Sequence, residues 1–327
     1  MKSSKVFPWI ALAVLILMAL ACSLTESETP IPLEEIAIDI PGQEAGAPET
    51  SAATWTPIPT FTAVALAIPT ATQGEVDHPP TATEEQAPPE PTQAGPRVEI
   101  NPLDGASMVY IPAGDFIMGS DAPSANPDER PAHTVTLDAF WLYQTEVTNA
   151  QYHCCITEGA CEGSLSRYPE DNLPAVNVNW FDAQAYCQWA GGDLPTEAQW
   201  EKGARGTDER PFPWGDVFPT CDLANFINCY QSKEIAVGSL PGGASPYGAL
   251  DMAGNVWEWV RDWYDPEFYG VSPNSNPTGP VEVEEEFRVQ RGGSFENDPD
   301  MLYVSIRSRS GPEKSDYRKG FRCVMSE

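Results

Sequence analysis

The sequence predicts one globular domain that mixes short strands with helices, is poor in regular secondary structure, and follows an export signal and a polar stalk. Three observations predict this organisation. An apolar N-terminal run ends at Cys22, a Pro-, Thr- and Glu-rich stretch follows, and aromatic and glycine residues are concentrated in the remainder. We divide the chain into a signal peptide (residues 1–22), a disordered linker (23–98) and a single domain (99–327).

The N-terminus has the features of an export signal. Lys2 and Lys5 precede an uncharged apolar run over residues 6–21, which is shorter than the roughly 20 apolar residues that a membrane span needs. Small residues just before Cys22 resemble a bacterial lipobox, in which the cysteine is diacylated after cleavage. We therefore predict a lipid anchor at Cys22 and a location in the bacterial cell envelope or on its outer surface. An ordinary signal peptide cut nearby and an uncleaved anchor are the alternatives.

The linker is predicted to be an extended, disordered stalk. No Lys or Arg lies between Cys22 and Arg97, and the stretch is dense in Pro, Thr, Ala and Glu. Such a composition buries too little apolar surface to offset the entropy of ordering. At about 3.1 Å per residue in the polyproline form, the stalk could hold the domain roughly 200 Å from the membrane.

The charge of the chain limits its partners. The formal net charge is -30, whereas nucleic acid and anionic lipid headgroups are bound by clusters of Lys and Arg. We therefore exclude nucleic acid as a partner. An acidic surface of this kind suits divalent cations, basic partners or solubility alone.

The cysteines agree with export, because disulfides persist outside the cytosol. With Cys22 set aside for lipidation, seven remain, and an odd count leaves one thiol over. The spacings suggest two short loops and one long closure, the latter contributing about 4 kcal/mol by the chain-entropy argument. Cys154 is the candidate for the odd thiol. The predicted pairs are Cys155–Cys161, Cys221–Cys229 and Cys187–Cys323.

The first half of the domain carries the regular elements. Residues 108–116 open as a short strand that a Pro-Ala-Gly turn interrupts, and residues 135–142 alternate with the period of a half-buried strand. A helix is predicted over residues 149–156 with Thr148 as its cap. A second helix begins near Asn179 and ends at the glycine pair of residues 191–192.

A third helix is predicted to begin after Thr196. Thr196 occupies the N-cap position and Gln199 follows three residues later, which is a capping-box spacing that satisfies two free amides. From Gly203 onward the signals are turns, glycines and isolated short strands. Irregular segments of this length need something to hold them, and disulfides and bound cations are the usual means.

Seven short phrases are spread in order along the domain. Together they resemble the formylglycine-generating enzymes, or sulfatase-modifying factors, from about residue 104 to the C-terminus. The resemblance implies a compact α+β fold related to C-type lectins, the Cys187–Cys323 disulfide and two calcium sites. The phrases are residues 108–120 (MVYIPAGDFIMGS), 146–149 (EVTN), 174–180 (PAVNVNW), 194–201 (LPTEAQWE), 247–259 (YGALDMAGNVWEW), 288–294 (RVQRGGS) and 320–323 (GFRC).

The resemblance implies specific ligands for structural calcium, an ion that takes six to eight oxygen ligands from flexible loops. In the second calcium site of the family, the matching positions are the side chains of Asp251 and Glu258 and the carbonyls of Gly254 and Val256. The competing interpretation is that Asp251 and Glu258 are solvated loop acids.

The first calcium site of the family is matched only in part. Its Asn and the following carbonyl correspond to Asn225 and Phe226. The other ligands lie on a loop that is short here, over residues 229–235, and no Asp occupies it.

The oxidase chemistry of the family requires copper(I) held by two thiolates, because soft ligands suit a soft ion. The two cysteines follow the Gly-Gly-Ser phrase of residues 292–294, and their positions are occupied here by Asn297 and Leu302. No cysteine lies between Cys229 and Cys323. We therefore expect no copper and no formylglycine-generating oxidase activity.

The residues that iron-dependent oxidation and serine hydrolysis would need are not found in the sequence. An iron-binding branch of the superfamily uses a His-rich facial motif, but only His78, His133 and His153 occur and no suitable spacing is present. We expect His133 to be a structural residue at a strand edge. Ser294 lacks the Gly-x-Ser-x-Gly context and histidine partner of a hydrolase nucleophile.

The leading hypothesis is a binding or accessory module that is stabilised by calcium and tethered to the membrane. Its vestigial groove would lie near Ser294, Asn297 and Leu302, with Arg307 and Arg309 as ligand-binding residues for a peptide, glycan or protein of unknown identity. The alternative is an enzyme that oxidises protein cysteine by a non-standard route. A purely structural envelope protein is the third hypothesis.

Overall fold

The computed structural model describes residues 95–163 and 170–327, and these belong to one compact unit. The predicted signal peptide, Cys22 and nearly all of the predicted stalk lie outside the described residues. The first strand begins at Val98, one residue before the predicted start of the domain. Among the described residues, no helix has both the length and the apolarity to cross a membrane.

Short strands arranged in three sheets form the frame of the described domain. The largest two have four strands each, in the orders β1-β2-β5-β10 and β8-β7-β6-β9, while β3 and β4 form a hairpin. All pairs are antiparallel except β6 with β9. The strands are β1 (Val98–Ile100), β2 (Ser107–Ile111), β3 (Gly114–Met118), β4 (His133–Leu137), β5 (Phe140–Tyr143), β6 (Trp257–Trp263), β7 (Arg288–Arg291), β8 (Ser308–Ser310), β9 (Lys319–Phe321) and β10 (Val324–Ser326).

The three predicted helices are confirmed, and local capping explains where each begins. Thr148, Asn179 and Thr196 are the N-caps, and each accepts a hydrogen bond from the backbone amide three residues later. In each case the side chain at that later position bonds back to the cap, so two amides that the helix leaves unpaired are satisfied. The helices are α1 (Asn149–Thr157), α2 (Trp180–Trp189) and α3 (Glu197–Arg205).

The predicted strand over residues 135–142 is wrong in one respect. The structure divides this segment between β4, which pairs with β3, and β5, which pairs with β2 and β10. Asp138 and Ala139 separate the two strands. Apolar alternation continues through this break, because residues on both sides of it face the core, and the pattern therefore cannot reveal the change of sheet.

Large aromatic side chains fill the core beneath the sheets. Trp200 of α3 and Trp259 of β6 are fully buried. Trp259 belongs to the cluster that also contains Cys187 and Cys323, so the long disulfide is embedded in the core. The segment between α3 and β6 contains no strand longer than an isolated bridge, and the Cys221–Cys229 disulfide closes one of its loops.

The three predicted disulfides are present in the structure: Cys155–Cys161, Cys187–Cys323 and Cys221–Cys229. The prediction that Cys154 carries the odd thiol is wrong. Cys154 is disulfide-bonded as well, and none of the described cysteines is free.

Candidate functional site

The turn that follows β7 contains Asn297 and Leu302, the two positions that the resemblance matches to the copper-binding cysteines. Gly292 and Gly293 both have positive φ angles, of 95° and 81°. The Ser294 hydroxyl donates a hydrogen bond to Asn297 Oδ1 at 2.7 Å, and the Ser294 amide donates to the same oxygen at 2.9 Å. The Asn297 side chain therefore closes the turn from within.

Leu302 occupies the second of these positions, at the end of the 3-10 turn Pro299–Leu302. It is 1% exposed and packs in an apolar cluster with Phe212, Ala224 and Ala253. A methyl group of Leu302 lies so close to Gly293 that a Cβ added there would come within 2.6 Å of it. The Asn297 amide is thus hydrogen-bonded within the turn, and the Leu302 side chain is packed in the core. Neither an amide nor an alkyl group is a soft metal ligand.

Four charged residues meet inside the domain, and we name Glu146, Asp251, Glu258 and Arg322 together the buried centre; Glu258 lies on β6, Arg322 lies between β9 and β10, and the other two lie on loops. The Glu258 carboxylate accepts hydrogen bonds from Arg322 Nε at 2.6 Å and Arg322 Nη2 at 2.7 Å. Trp200 Nε1 donates to the same carboxylate at 2.8 Å. Both Glu258 and Arg322 are fully buried.

Two further carboxylates belong to the buried centre. Asp251 Oδ2 accepts a hydrogen bond from the Gly238 amide at 2.6 Å, and Glu146 Oε1 accepts one from Asn255 Nδ2 at 3.0 Å. Glu146 Oε2 is buried and has no hydrogen-bond partner. Burial raises the pKa of Glu146 well above its usual range, and the charges of Asp251 and Glu258 raise it further.

The donors of the buried centre fit an oxygen-seeking divalent cation. Its three carboxylates outnumber its one guanidinium, and either a cation or a proton on Glu146 would reduce this excess of negative charge. The Glu146 oxygen without a partner is the kind of group that a cation or a proton satisfies. Asp251, Glu258 and the Gly254 and Val256 carbonyls would hold the ion, and Glu258 would share its oxygens with Arg322.

Asn225 lies beside the buried centre and is also held by the surrounding loop. Its Oδ1 is buried without a hydrogen-bond partner, while Nδ2 donates to the Lys233 carbonyl at 2.9 Å. A backbone bridge joins Asn225 to Gly254, so the two predicted calcium sites adjoin. The loop that lacks Asp carries Glu234, which is 2% exposed. Glu234 and Glu146 are not predicted as site residues from the sequence, because neither occupies a position that matches a ligand of the family.

The two arginines predicted to bind a ligand lie in different environments. Arg307 is 6% exposed, and its Nε and Nη2 donate to Glu197 at 2.7 and 2.9 Å. Its Nη1 donates to the carbonyls of Asp128 and Asp265. The donors of the Arg307 guanidinium are thus taken up by protein acceptors, which argues against its predicted role in ligand binding. Arg309, in contrast, is exposed, and its guanidinium lies 4.6 Å from the Tyr264 ring centroid.

His133 is placed as the sequence predicted, at the first position of β4. Its Nδ1 lies 2.9 Å from the Pro131 carbonyl, and its ring packs against Tyr269 with centroids 5.0 Å apart. Within residues 95–163 and 170–327, no three His, Cys, Asp or Glu side chains are grouped to hold a metal ion. Glu146, Asp251 and Glu258 therefore do not act as three ligands of one ion, and the ligand sets that the resemblance implies combine fewer side chains with backbone carbonyls.

The fold and these motifs define a domain of the sulfatase-modifying type. Residues 96–327 match the family described as "Sulfatase-modifying factor enzyme 1-like domain", and the chain belongs to that family.

Curated relatives include enzymes of two names. The chain is 34% identical over 294 residues to a formylglycine-generating enzyme of Mus musculus, covering 71% of this chain and 77% of the relative. It is 32% identical over 268 residues to a hercynine oxygenase of Mycolicibacterium smegmatis, covering 67% of this chain and 61% of the relative. The chain therefore spans less than two thirds of the second relative.

Solved structures share the fold. PvdO from Pseudomonas aeruginosa aligns with a TM-score of 0.64 at 27% identity, covering 72% of this chain and 100% of that chain. Treponema denticola variable protein 1 aligns with a TM-score of 0.57 at 24% identity, covering 71% of this chain and 99% of that chain; at that identity the likeness concerns the fold alone.

Proposed function

We propose that this chain is a membrane-tethered extracytoplasmic binding or accessory module, built on a sulfatase-modifying-factor domain that does not perform copper oxidation. The observation that carries the proposal is the replacement of both thiolate positions. Asn297 is engaged with Ser294 and Leu302 is buried in an apolar cluster. Copper(I) binding needs soft sulfur donors, and this turn offers an amide oxygen and a methyl group instead.

The alternative is an enzyme that oxidises protein cysteine by a non-standard route. The names of the relatives, formylglycine-generating enzyme and hercynine oxygenase, favour an oxidase-like role for the family. That role would need a reactive centre other than the family's thiolate pair.

One assay separates the two proposals. The purified chain is incubated aerobically with copper, a reductant and a Cys-x-Pro-x-Arg peptide, with the mouse enzyme as the positive control. We expect no formylglycine by mass spectrometry and no stoichiometric copper by elemental analysis. Aldehyde product formed by the chain would overturn the binding-module proposal in favour of the enzyme.

We also propose that calcium is a structural cofactor of the domain. The support is the carboxylate excess of the buried centre and the two buried side-chain oxygens of Glu146 and Asn225 that have no hydrogen-bond partner. Asp251, Glu258 and the carbonyls of Gly254 and Val256 would hold one ion. Asn225 and the Phe226 carbonyl would contribute to a second, with Glu234 as the nearest acid of the shortened loop.

Lipid anchoring at Cys22 is a further part of the proposal. It is supported by the apolar run before Cys22 and by disulfides that suit an oxidising compartment. Globomycin treatment or Cys22→Ser is expected to release the chain from membranes, as measured by fractionation. Retention of Cys22→Ser in the membrane would contradict the anchor.

A further inference from the structure

Strand β1 leaves one edge of its four-stranded sheet open. The sheet has the order β1-β2-β5-β10, so β1 and β10 are its two outer strands. The β10 edge is covered, because Val324 exchanges two backbone hydrogen bonds with Asp193, at 3.1 and 2.9 Å. All three residues of β1 are exposed, and no segment of the described ranges pairs with the outer side of this strand. We name the outer side of β1 the open edge.

The hydrogen bonds of β1 show which backbone groups face the open edge. The Arg97 carbonyl accepts a hydrogen bond from the Tyr110 amide at 3.0 Å, so Arg97 bonds toward β2. Because bonding alternates between the two sides of a strand, Glu99 also bonds toward β2. The amides and carbonyls of Val98 and Ile100 therefore point outward, where a further strand can bond to them.

The side chains of β1 do not protect the open edge against a second strand. Val98 is 45% exposed and Ile100 is 58% exposed. The charges that often protect an edge are present in Arg97 and Glu99, but they are opposite in sign. Their side chains form a pair at 3.1 Å and are 57% and 53% exposed. Such a solvated pair contributes little, so both charges can pair with a further strand.

We propose that the open edge pairs in antiparallel fashion with the open edge of a second copy of this chain, about a twofold axis at Val98. Val98 of each copy then exchanges hydrogen bonds with Val98 of the other, and each Ile100 amide donates to the opposite Pro96 carbonyl. Arg97 of each copy lies directly opposite Glu99 of the other. Both faces of the pair are thus complementary, since Val98 and Ile100 meet apolar groups and the charges meet opposite charges.

Charge selects this register over its neighbours. A twofold axis at Glu99 places the two Glu99 carboxylates directly opposite each other, and an axis at Arg97 does the same to the two guanidinium groups. Like charges in opposite positions destabilise a strand pair. An axis at Ile100 places Val98 opposite Pro102, which has no amide to donate. Only the axis at Val98 matches both charges and bonds.

The dimer goes beyond the proposed binding function and does not depend on it. A pair of short strands buries little surface, so we expect the association to be weak in solution and to depend on concentration. Tethering of both copies to one membrane would raise their effective concentration to the millimolar range. The pair would join two four-stranded sheets into one and present two copies of any ligand surface side by side.

A cysteine at the twofold axis tests the contact directly. In Val98→Cys the two Cα atoms would lie about 5.5 Å apart, within the range of about 4.4–6.8 Å that a disulfide spans. The full chain in excess detergent micelles is treated with diamide and resolved on a non-reducing gel. Val98→Cys is expected to form a covalent dimer at least about tenfold faster than Val281→Cys. Val281 is the matched control because it is more exposed, at 94%.

Charge exchange tests the register. Sedimentation velocity of the full chain gives the dimer dissociation constant, which Arg97→Glu is expected to raise about tenfold by placing like charges opposite. Arg97→Glu/Glu99→Arg reverses both charges and is expected to restore the dimer. Arg261→Glu is the matched control and should leave the constant unchanged, because Arg261 is also exposed, at 47%, and has one acidic partner, Asp193.

Each outcome decides the proposal. Faster crosslinking of Val98→Cys together with rescue by the double charge exchange supports the dimer and its register. A chain that sediments as a monomer up to about 1 mM, the concentration that tethering supplies, overturns it and leaves the open edge to a strand of another protein. Equal crosslinking of Val98→Cys and Val281→Cys, or a dimer that Arg97→Glu does not weaken, places the contact elsewhere and overturns it as well.

Discussion

Two regions of this domain differ in how their side chains are held. In the turn of residues 292–302, Asn297 is satisfied locally by a hydrogen bond and Leu302 by apolar packing. In the buried centre, Glu258 and Arg322 are paired in the core.

The difference shows which groups the fold can lose. A reactive group at a turn can be exchanged once its space and hydrogen bonds are taken over by neighbours. A buried charge cannot, because removing one member leaves the other without compensation. The stability of the fold therefore depends on the charged pair of the buried centre, whereas it does not require a reactive group in the turn.

The largest effect is expected from breaking the buried centre. Arg322→Met leaves the Glu258 carboxylate buried and unpaired, which is expected to lower the free energy of unfolding by about 3–5 kcal/mol in urea denaturation. The matched control, Arg318→Met, removes an exposed arginine whose pairs are solvated and is expected to cost less than about 1 kcal/mol. Equal losses in the two variants would show that burial does not set the difference.

A second test concerns Asp262, a buried acid without a bonded cation. Its Oδ2 accepts a hydrogen bond from the Glu197 amide at 2.9 Å, and burial, followed by the charge of Glu197, raises its pKa to about 7. An unfolded Asp has a pKa of about 3.9. The folded chain therefore keeps a proton that the unfolded chain has lost between about pH 4 and 7, so this contribution to stability falls as the pH rises through that window.

Asp262→Asn is expected to remove this loss. The free energy of unfolding of the variant minus that of the parent chain should grow by roughly 3 kcal/mol between pH 4 and pH 8, measured by urea denaturation at several pH values. Asp208→Asn is a control for which the difference in unfolding free energy from the parent chain should change with pH in the opposite direction. A hydrogen bond from Arg210 lowers the pKa of Asp208, so that variant should become slightly less stable than the parent chain as the pH rises. A pH-independent difference for Asp262→Asn would refute the assignment.

Removal of calcium is expected to have an intermediate effect. An ion that binds only the folded state stabilises it by mass action, so EGTA should lower the Tm by several degrees in a thermal scan. Asp251→Asn should lose most of this EGTA response, while Asp300→Asn, at an exposed acid, should keep it. An unchanged Tm in EGTA for the parent chain would remove calcium from the proposal.

Introducing cysteines at both positions is expected to have the smallest effect on stability among these tests and to create a binding site for copper(I). Asn297→Cys/Leu302→Cys removes the bond to Ser294 and shortens one buried side chain, at a cost of about 1–3 kcal/mol. If only the donors are missing, this double variant should bind copper(I) at one equivalent by competition with a chromophoric chelator. Either single variant is the control and should bind far more weakly; equal binding by a single variant would place the metal elsewhere.

Much of this fold was predictable because its signals are local. The sequence predicts helix starts at Thr148, near Asn179 and at Thr196, the last from its capping-box spacing to Gln199, and it predicts the three disulfides from spacing and resemblance. The break between β4 and β5 was not predictable, because the same apolar alternation serves two sheets. Residues of the candidate site could be predicted only at positions that match a motif of the family.

The sequence by itself determined the family, the starts of the three helices and three disulfides, since these depend on residue identity, on local spacing or on the resemblance to a known family. The tertiary structure alone decided that Arg307 is buried against Glu197, 110 residues away, and that Arg322 is buried against Glu258, 64 residues away. The physical reason is that the environment of a charge depends on which distant segments pack around it, and no local pattern records that packing.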